Sequence, residues 1–217
     1  MPLFQSSKNS DSKRIKSEIA ISSIKIKPFW ENLHDRQEYK QAGKADQSEY
    51  LRFIMEVIKQ DLAIHAATGL LSQDTRHSSN YFPIDDLSSG EATISFEGNT
   101  VVSHAYYHRK FFPAILDVSR NGFLTQKNDT VGLYVPEWKL ILILNGVHHS
   151  AVASVLKEHG EAFCRIVHAN DIITQRSLSD DMHYWCLPDG KEIPVEEPRF
   201  ALLYLISKEL NALNGFM

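Results

Sequence analysis

Two adjacent histidines, His148 and His149, stand in the run Lys139-Leu-Ile-Leu-Ile-Leu-Asn-Gly-Val-His-His-Ser150. An imidazole takes up and releases protons near neutral pH, and it donates readily to phosphate oxygens. The residues around the pair indicate how it would be held. Five consecutive apolar residues, Leu140 to Leu144, read as a strand buried on both faces. Asn145-Gly146 ends that strand, and Ser150 is placed to cap a helix beginning near Ala151. A strand that turns sharply into a helix aims free N–H groups and the positive end of the helix dipole at one point, which favours an anion such as phosphate. The expected site is therefore an anion cradle. Asn145, Gly146, Val147 and Ser150 bind phosphate, and His148 or His149 serves as acid/base or phosphate ligand. Neighbouring side chains in a turn point apart, so the two histidines are not expected to share a metal ion. The plain alternative is that one histidine packs beneath the turn while the other is solvated.

Other residues with chemical potential are less well arranged. His104 and His108 are spaced to share a helix face, but Ala105 stands where the zinc-protease motif needs a glutamate. With Arg109 and Lys110 they read as a solvated helix face. Ser103 and Ser150 lack the Gly-x-Ser-x-Gly elbow of a serine nucleophile, and neither a Walker loop nor a Gly-x-Gly-x-x-Gly run occurs. Asp85-Asp86 and Asp180-Asp181 read as solvated turn carboxylates. Trp138, Trp185 and Tyr184 read as covers for core edges, with an aromatic wall for a ring as the rival assignment. Cys164, in an apolar segment, reads as inert packing.

The elements that would position these groups follow from periodicity. Tyr50, Leu51, Ile54, Val57, Ile58, Leu62 and Ile64 predict an amphipathic helix from Gln47, capped by Asp46 or Ser48 and ended by Gly69. Tyr81 to Leu87 and Ala92 to Phe96 read as short strands. Tyr106 to Ser119 reads as a helix containing Pro113, closed by Gly122. Val131 to Val135 and Leu140 to Leu144 are strands joined tightly through Pro136-Glu-Trp-Lys139. A helix from Ala151 to His159 ends at Gly160, and Ala162 to Val167 forms the next strand. A hairpin pairs 183–186 with 192–195 around Pro188-Asp-Gly190, and a helix closes the chain from Pro198 to Leu213.

The whole chain bounds the function classes. Its 217 residues are 43% hydrophobic and 23% charged, which is ordinary for a soluble globular protein. No apolar run approaches the roughly 20 residues a membrane span needs. Residues 1–27 lack an apolar h-region, so no secretory signal is expected, and no membrane partner. Two cysteines are too few for a disulfide scaffold, which fits a cytoplasmic protein with reduced thiols. The net charge of −4 argues against nucleic-acid binding through the overall field, although a local basic patch stays open. Ile19-Ala-Ile-Ser-Ser-Ile-Lys-Ile-Lys, in the polar start of the chain, reads as an edge strand or as an arm that orders on a protein partner.

The order helix, Asn121-Gly-Phe-Leu, strand pair, Leu140 to Leu144, Asn145-Gly-Val-His148-His149, helix resembles the ParB and sulfiredoxin-like superfamily over roughly residues 81–172. The run Gly146 to Ser150, ending His149-Ser150, is also similar to the Gly-Gly-Asn-His-Ser signature of a bacterial domain-of-unknown-function family. Its Trp138-containing strand and its Asp189-Gly190 turn match as well. The first resemblance implies a nucleotide or phosphorylated small molecule as ligand, with magnesium. It also implies that Arg109 and Lys110, on the helix preceding the motif, supply a cationic wall to the same site. Departures narrow this. Val147 stands where sulfiredoxins place their catalytic cysteine, which removes sulfinic-acid reduction. His149 replaces an arginine and loses its bidentate fork, and Asn145 replaces an aspartate that would hold a metal.

These readings give an α+β protein in which a small mixed sheet with packed helices forms a ParB/sulfiredoxin-like core. A polar arm over 1–46, a helical extension over 47–80 and the α+β domain over 81–217, with its C-terminal hairpin and helix, are the expected divisions. The expected function is nucleotide or phosphate binding, with phosphoryl transfer or hydrolysis as its chemistry. The rival is a non-enzymatic protein- or DNA-interaction module in which the turn is only structural.

Overall fold

The computed structural model describes residues 26–72, 83–103, 108–121, 132–144, 150–152, 154 and 160–214, with the backbone alone for 65–72, 85, 108–112 and 214. The chain opens with α1 (Ile26–Asp35), α2 (Gln37–Gln41) and the long α3 (Lys44–Ser72). Then come β1 (Gly90–Ser95), β2 (Thr100–Val102), α4 (His108–Asn121), β3 (Gly132–Val135) and β4 (Leu140–Ile143). The second half adds β5 (Glu161–Ile166), α5 (Ala169–Gln175), β6 (Ser177–Leu178), β7 (Tyr184–Cys186), β8 (Glu192–Pro194) and α6 (Pro198–Asn214). The architecture is α+β. A mixed five-stranded sheet has the order β1-β5-β3-β4-β2, and a small sheet has the order β6-β7-β8. No helix among the described residues is long and apolar enough to cross a membrane.

The apolar run Leu140 to Ile143 explains the layering. All four side chains of β4 are buried. Successive strand residues point to opposite faces, so Leu140 and Leu142 enter one core and Ile141 and Ile143 the other. The first core is the larger and takes in Leu33 of α1, the Leu51, Met55, Ile58 and Leu62 face of α3, and Leu203 and Ile206 of α6. The second joins Phe96, Val118 of α4, Ala151, Ala162 and Cys164. β4 pairs antiparallel with β3 and parallel with β2, while β3 pairs parallel with β5. β1 closes the other side by pairing antiparallel with β5.

Several elements differ from the sequence expectation, among them strand β2 and helix α5, which it did not contain. Within the expected polar arm, residues 26–35 and 37–41 form helices, as the helix-or-loop reading of Gln37 to Asp46 allowed for the second, and Ile26, Leu33 and Tyr39 are buried in the larger core. Ile26, Phe29, Trp30 and Leu33 recur at helical spacing, a signal outweighed in the reading by the polar residues before them. Helix α3 starts at Lys44 and continues through Gly69 to Ser72, since a glycine costs a helix interior only about 1 kcal/mol. It packs against α6 and β2 and shares their core. The expected strand over Tyr81 to Leu87 is a 3-10 turn at Asp85–Leu87, where Ile84 and Leu87 bury at a spacing of three. Asp86, expected as a solvated turn residue, pairs with Arg176, whose Nε also donates to the Pro83 carbonyl at 2.6 Å. The hairpin of the small sheet gains a third strand, β6, at Ser177–Leu178.

Gly132 lies against β4 so closely that an added Cβ would stand 2.5 Å from the Leu142 carbonyl oxygen. That neighbour is backbone in the centre of the sheet and cannot swing away. Gly132→Ala should therefore lower stability by about 1–3 kcal/mol, a Tm fall of roughly 3–10 °C. Gly90→Ala, where nothing lies within 4 Å of the added carbon, should leave Tm unchanged or higher. Thermal denaturation of the two variants side by side checks the contrast.

Candidate functional site

Strands β2 and β4 are parallel neighbours, with Val102 opposite Leu142. Both therefore end at the same edge of the sheet. Gly132 pairs with Ile143, so β3 begins at that edge too. From it the connection at 103–107 leads to α4, and the connection at 144–149 leads to the helical residues at 150–152. Val118 of α4 and Ala151 both pack in the second core with Ile141 and Ile143. Helix α4 and the helical residues 150–152 thus pack on one face of the sheet, and each comes next in sequence after one of two adjacent strands.

This topology locates the sequence-predicted residues with different completeness. Asn145, Gly146, Val147, His148, His149 and His104 lie outside the described residues. His108, Arg109 and Lys110 form the first turn of α4. Ser150 begins the described helix and is half-buried, next to the fully buried Ala151. Ser103, at the end of β2, is buried. Among the described residues, no group of three or more His, Cys, Asp or Glu side chains is arranged to hold a metal ion.

The opposite edge carries pairings that the sequence did not reveal. The Lys59 ammonium, buried on the α3 core face, donates to the Trp138 carbonyl at 2.7 Å and pairs with Glu56 at 2.6 Å. Trp138 Nε1 donates to Ser207 Oγ of α6 at 2.7 Å. Glu137 accepts from the Ala169 N–H at 3.0 Å and bonds His168 Nδ1 at 2.8 Å, which secures the start of α5. Burial, and then the charge of Glu137, pushes the Tyr134 phenol pKa up. A charged residue inside an otherwise apolar helix face was the signal available for Lys59; nothing local marks the Glu137–His168 pair. Lys59→Met keeps the volume but removes the donor from a buried carbonyl, so unfolding free energy should fall by about 1–3 kcal/mol in denaturant titration.

A serine, an aspartate and a histidine also meet at Ser179, Asp181 and His183, but in the wrong order for nucleophilic catalysis. The Ser179 hydroxyl donates to Asp181 Oδ1 at 2.6 Å, and the His183 backbone N–H donates to the same oxygen at 3.1 Å. These two bonds hold the Asp181 carboxyl below its usual range. The imidazole meets the other carboxylate oxygen at 3.5 Å. The group is a turn clasp, with Met182 at φ 60°. Trp138 and Trp185 are buried in the larger core, while Tyr184 is partly exposed.

Cys164 is fully buried in β5, and burial pushes its thiol up to about 12. It therefore stays protonated and inert where an ordinary thiol begins to ionise. The associated stability is fully present below the unfolded value near 9 and is lost as pH rises towards about 12. Iodoacetamide at pH 8 should label the half-buried Cys186 and leave Cys164 unmodified until denaturant is added, as read by intact mass. Compared with protein-family models, with curated proteins and with solved structures, the chain matches none of them.

Proposed function

We propose that this protein binds a phosphate group, most naturally that of a nucleotide, at the edge where β2 and β4 end. The carrying observation is the parallel β2–β4 pair, which sends two strand-to-helix connections from one edge to helices on one face. Helix starts present unpaired N–H groups and partial positive charge, and two of them at one edge reinforce each other. Arg109 and Lys110 belong to the first turn of α4, the helix that follows β2 in sequence, and would supply positive charge there. His148 and His149 fall in the second connection, where an imidazole would donate to a phosphate oxygen or act as acid/base in phosphoryl transfer or hydrolysis. On this proposal the ParB/sulfiredoxin-like resemblance concerns nucleotide binding and not sulfinic-acid chemistry.

A thermal-shift series with nucleoside di- and triphosphates, with and without magnesium, tests it. A ligand at one hundred times its Kd should stabilise by about 2.7 kcal/mol, a rise of roughly 5–10 °C. The rise should disappear in the His148→Ala/His149→Ala variant and shrink in Arg109→Glu/Lys110→Glu. A flat series, or a rise untouched by both variants, counts against the site.

The second reading is an interaction module that does no chemistry. One observation favours it: Phe53, Val57 and Ile64, spaced four and seven along α3, are exposed on the side away from the core. Partner binding that survives the double-histidine variant would support it.

A further inference from the structure

Helices α1, α2 and α3 enclose a two-part trough. One compartment, of about 290 Å³, is lined by Glu38, Tyr39 and Asp46. The other, of about 410 Å³, has Phe29, Leu33 and Ile54 in its wall. Arg36, the extended residue between α1 and α2, and Tyr50 of α3 line both. The first wall is held from behind. The buried Tyr39 donates its hydroxyl to Glu209 Oε1 of α6 at 2.5 Å, and His34 Nε2 meets the other carboxylate oxygen at 2.5 Å. Burial, and then the bond to Glu209, pushes the Tyr39 phenol pKa up, so the hydroxyl stays a donor across the ordinary pH range. The Tyr39 and Tyr50 ring centroids stand 5.8 Å apart, so the two rings touch and form one apolar wall with no room for a guest between them.

The charged groups of the trough are free to meet a guest. Arg36, Glu38 and Asp46 are exposed, and none of their side chains makes a hydrogen bond or ion pair with another described residue, although Lys40 and Asp35 close by pair at 2.9 Å. A guest carrying only a carboxylate would reach Arg36 but face two like charges. A simple amine would suit Glu38 and Asp46 but be repelled by Arg36. A guest with both charges on one carbon satisfies all three, and the apolar compartment takes the other substituent of that carbon.

We propose that the trough binds a free α-amino acid with a large apolar side chain. Its carboxylate accepts from the Arg36 fork where the compartments meet, and its ammonium lies toward Glu38 and Asp46. Its side chain enters the Phe29–Leu33–Ile54 compartment. A Cα at the junction reaches all three, because its substituents diverge tetrahedrally. The assignment does not rest on the phosphate site.

Ligand-observed NMR titration of the full-length protein with L-phenylalanine and L-leucine tests the occupant. Both should bind saturably. Hydrocinnamate and phenethylamine keep the phenyl ring but lose the ammonium or the carboxylate, and each should bind about tenfold more weakly. Glycine should not compete. D-phenylalanine should be weaker than its enantiomer, since three divergent contacts cannot be met by both hands. Arg36→Gln, and separately Glu38→Gln/Asp46→Asn, should each weaken L-phenylalanine about tenfold, with circular dichroism confirming the fold. Arg36→Lys, which keeps the charge without the fork, should recover part of the loss. Absence of a saturable signal up to about 10 mM, equal binding of hydrocinnamate or phenethylamine, or binding untouched by both charge variants would overturn the proposal.

Discussion

The buried Trp138 junction is the constraint on which the arrangement of layers depends. Its carbonyl takes the Lys59 ammonium of α3, and its indole N–H reaches Ser207 of α6. Trp138 also sits in the turn between β3 and β4, followed by Lys139 in a left-handed conformation. One residue therefore ties the longest helix, the last helix and the centre of the sheet together. Both bonds are buried, where a lost partner is not replaced by water and the angle between the layers is firmly specified.

With the layers held there, the sheet divides its labour between two edges. The edge carrying Trp138 also has Glu137 with His168 and the Thr100 N–H bonded to the Lys139 carbonyl at 2.8 Å. Its polar groups are engaged in holding the fold. At the other edge β2 and β4 end side by side, and the chain leaves for two helices on one face. Arg176, bonded to Pro83 and Asp86 while Tyr204 donates to its carbonyl at 3.0 Å, extends the same restraint to the segment before β1.

Several features were legible because local pattern and tertiary environment agree. Leu140 to Leu144 read as a doubly buried strand, and its first four residues, Leu140 to Ile143, are one, since consecutive large apolar side chains at period two need cores on both sides. Cys164 read as inert and lies in β5 with its thiol pushed up by burial. The C-terminal helix and the 184–186 hairpin strand were visible for similar reasons. Other features were not. Helix α1 carries Ile26, Phe29, Trp30 and Leu33 at helical spacing, but over only ten residues directly after a polar, lysine- and serine-rich start, and it was read with that arm. The role of Lys59 was not legible either, because the Trp138 carbonyl it meets is 79 positions away in sequence.

The sequence by itself determined most of the element types and the doubly buried strand, because these depend on propensity and short-range period. Only the tertiary structure decided that β2 lies parallel beside β4, that Trp138 joins Lys59 to Ser207, and that three N-terminal helices enclose an aromatic and acidic trough. The first two of those relations join residues far apart along the chain, and the third depends on how three consecutive helices pack. Periodicity fixes which face of an element is apolar, but it carries no information about which neighbour covers that face. That choice is made by mutual packing of whole layers, and it is the packing that turns scattered side chains into candidate sites.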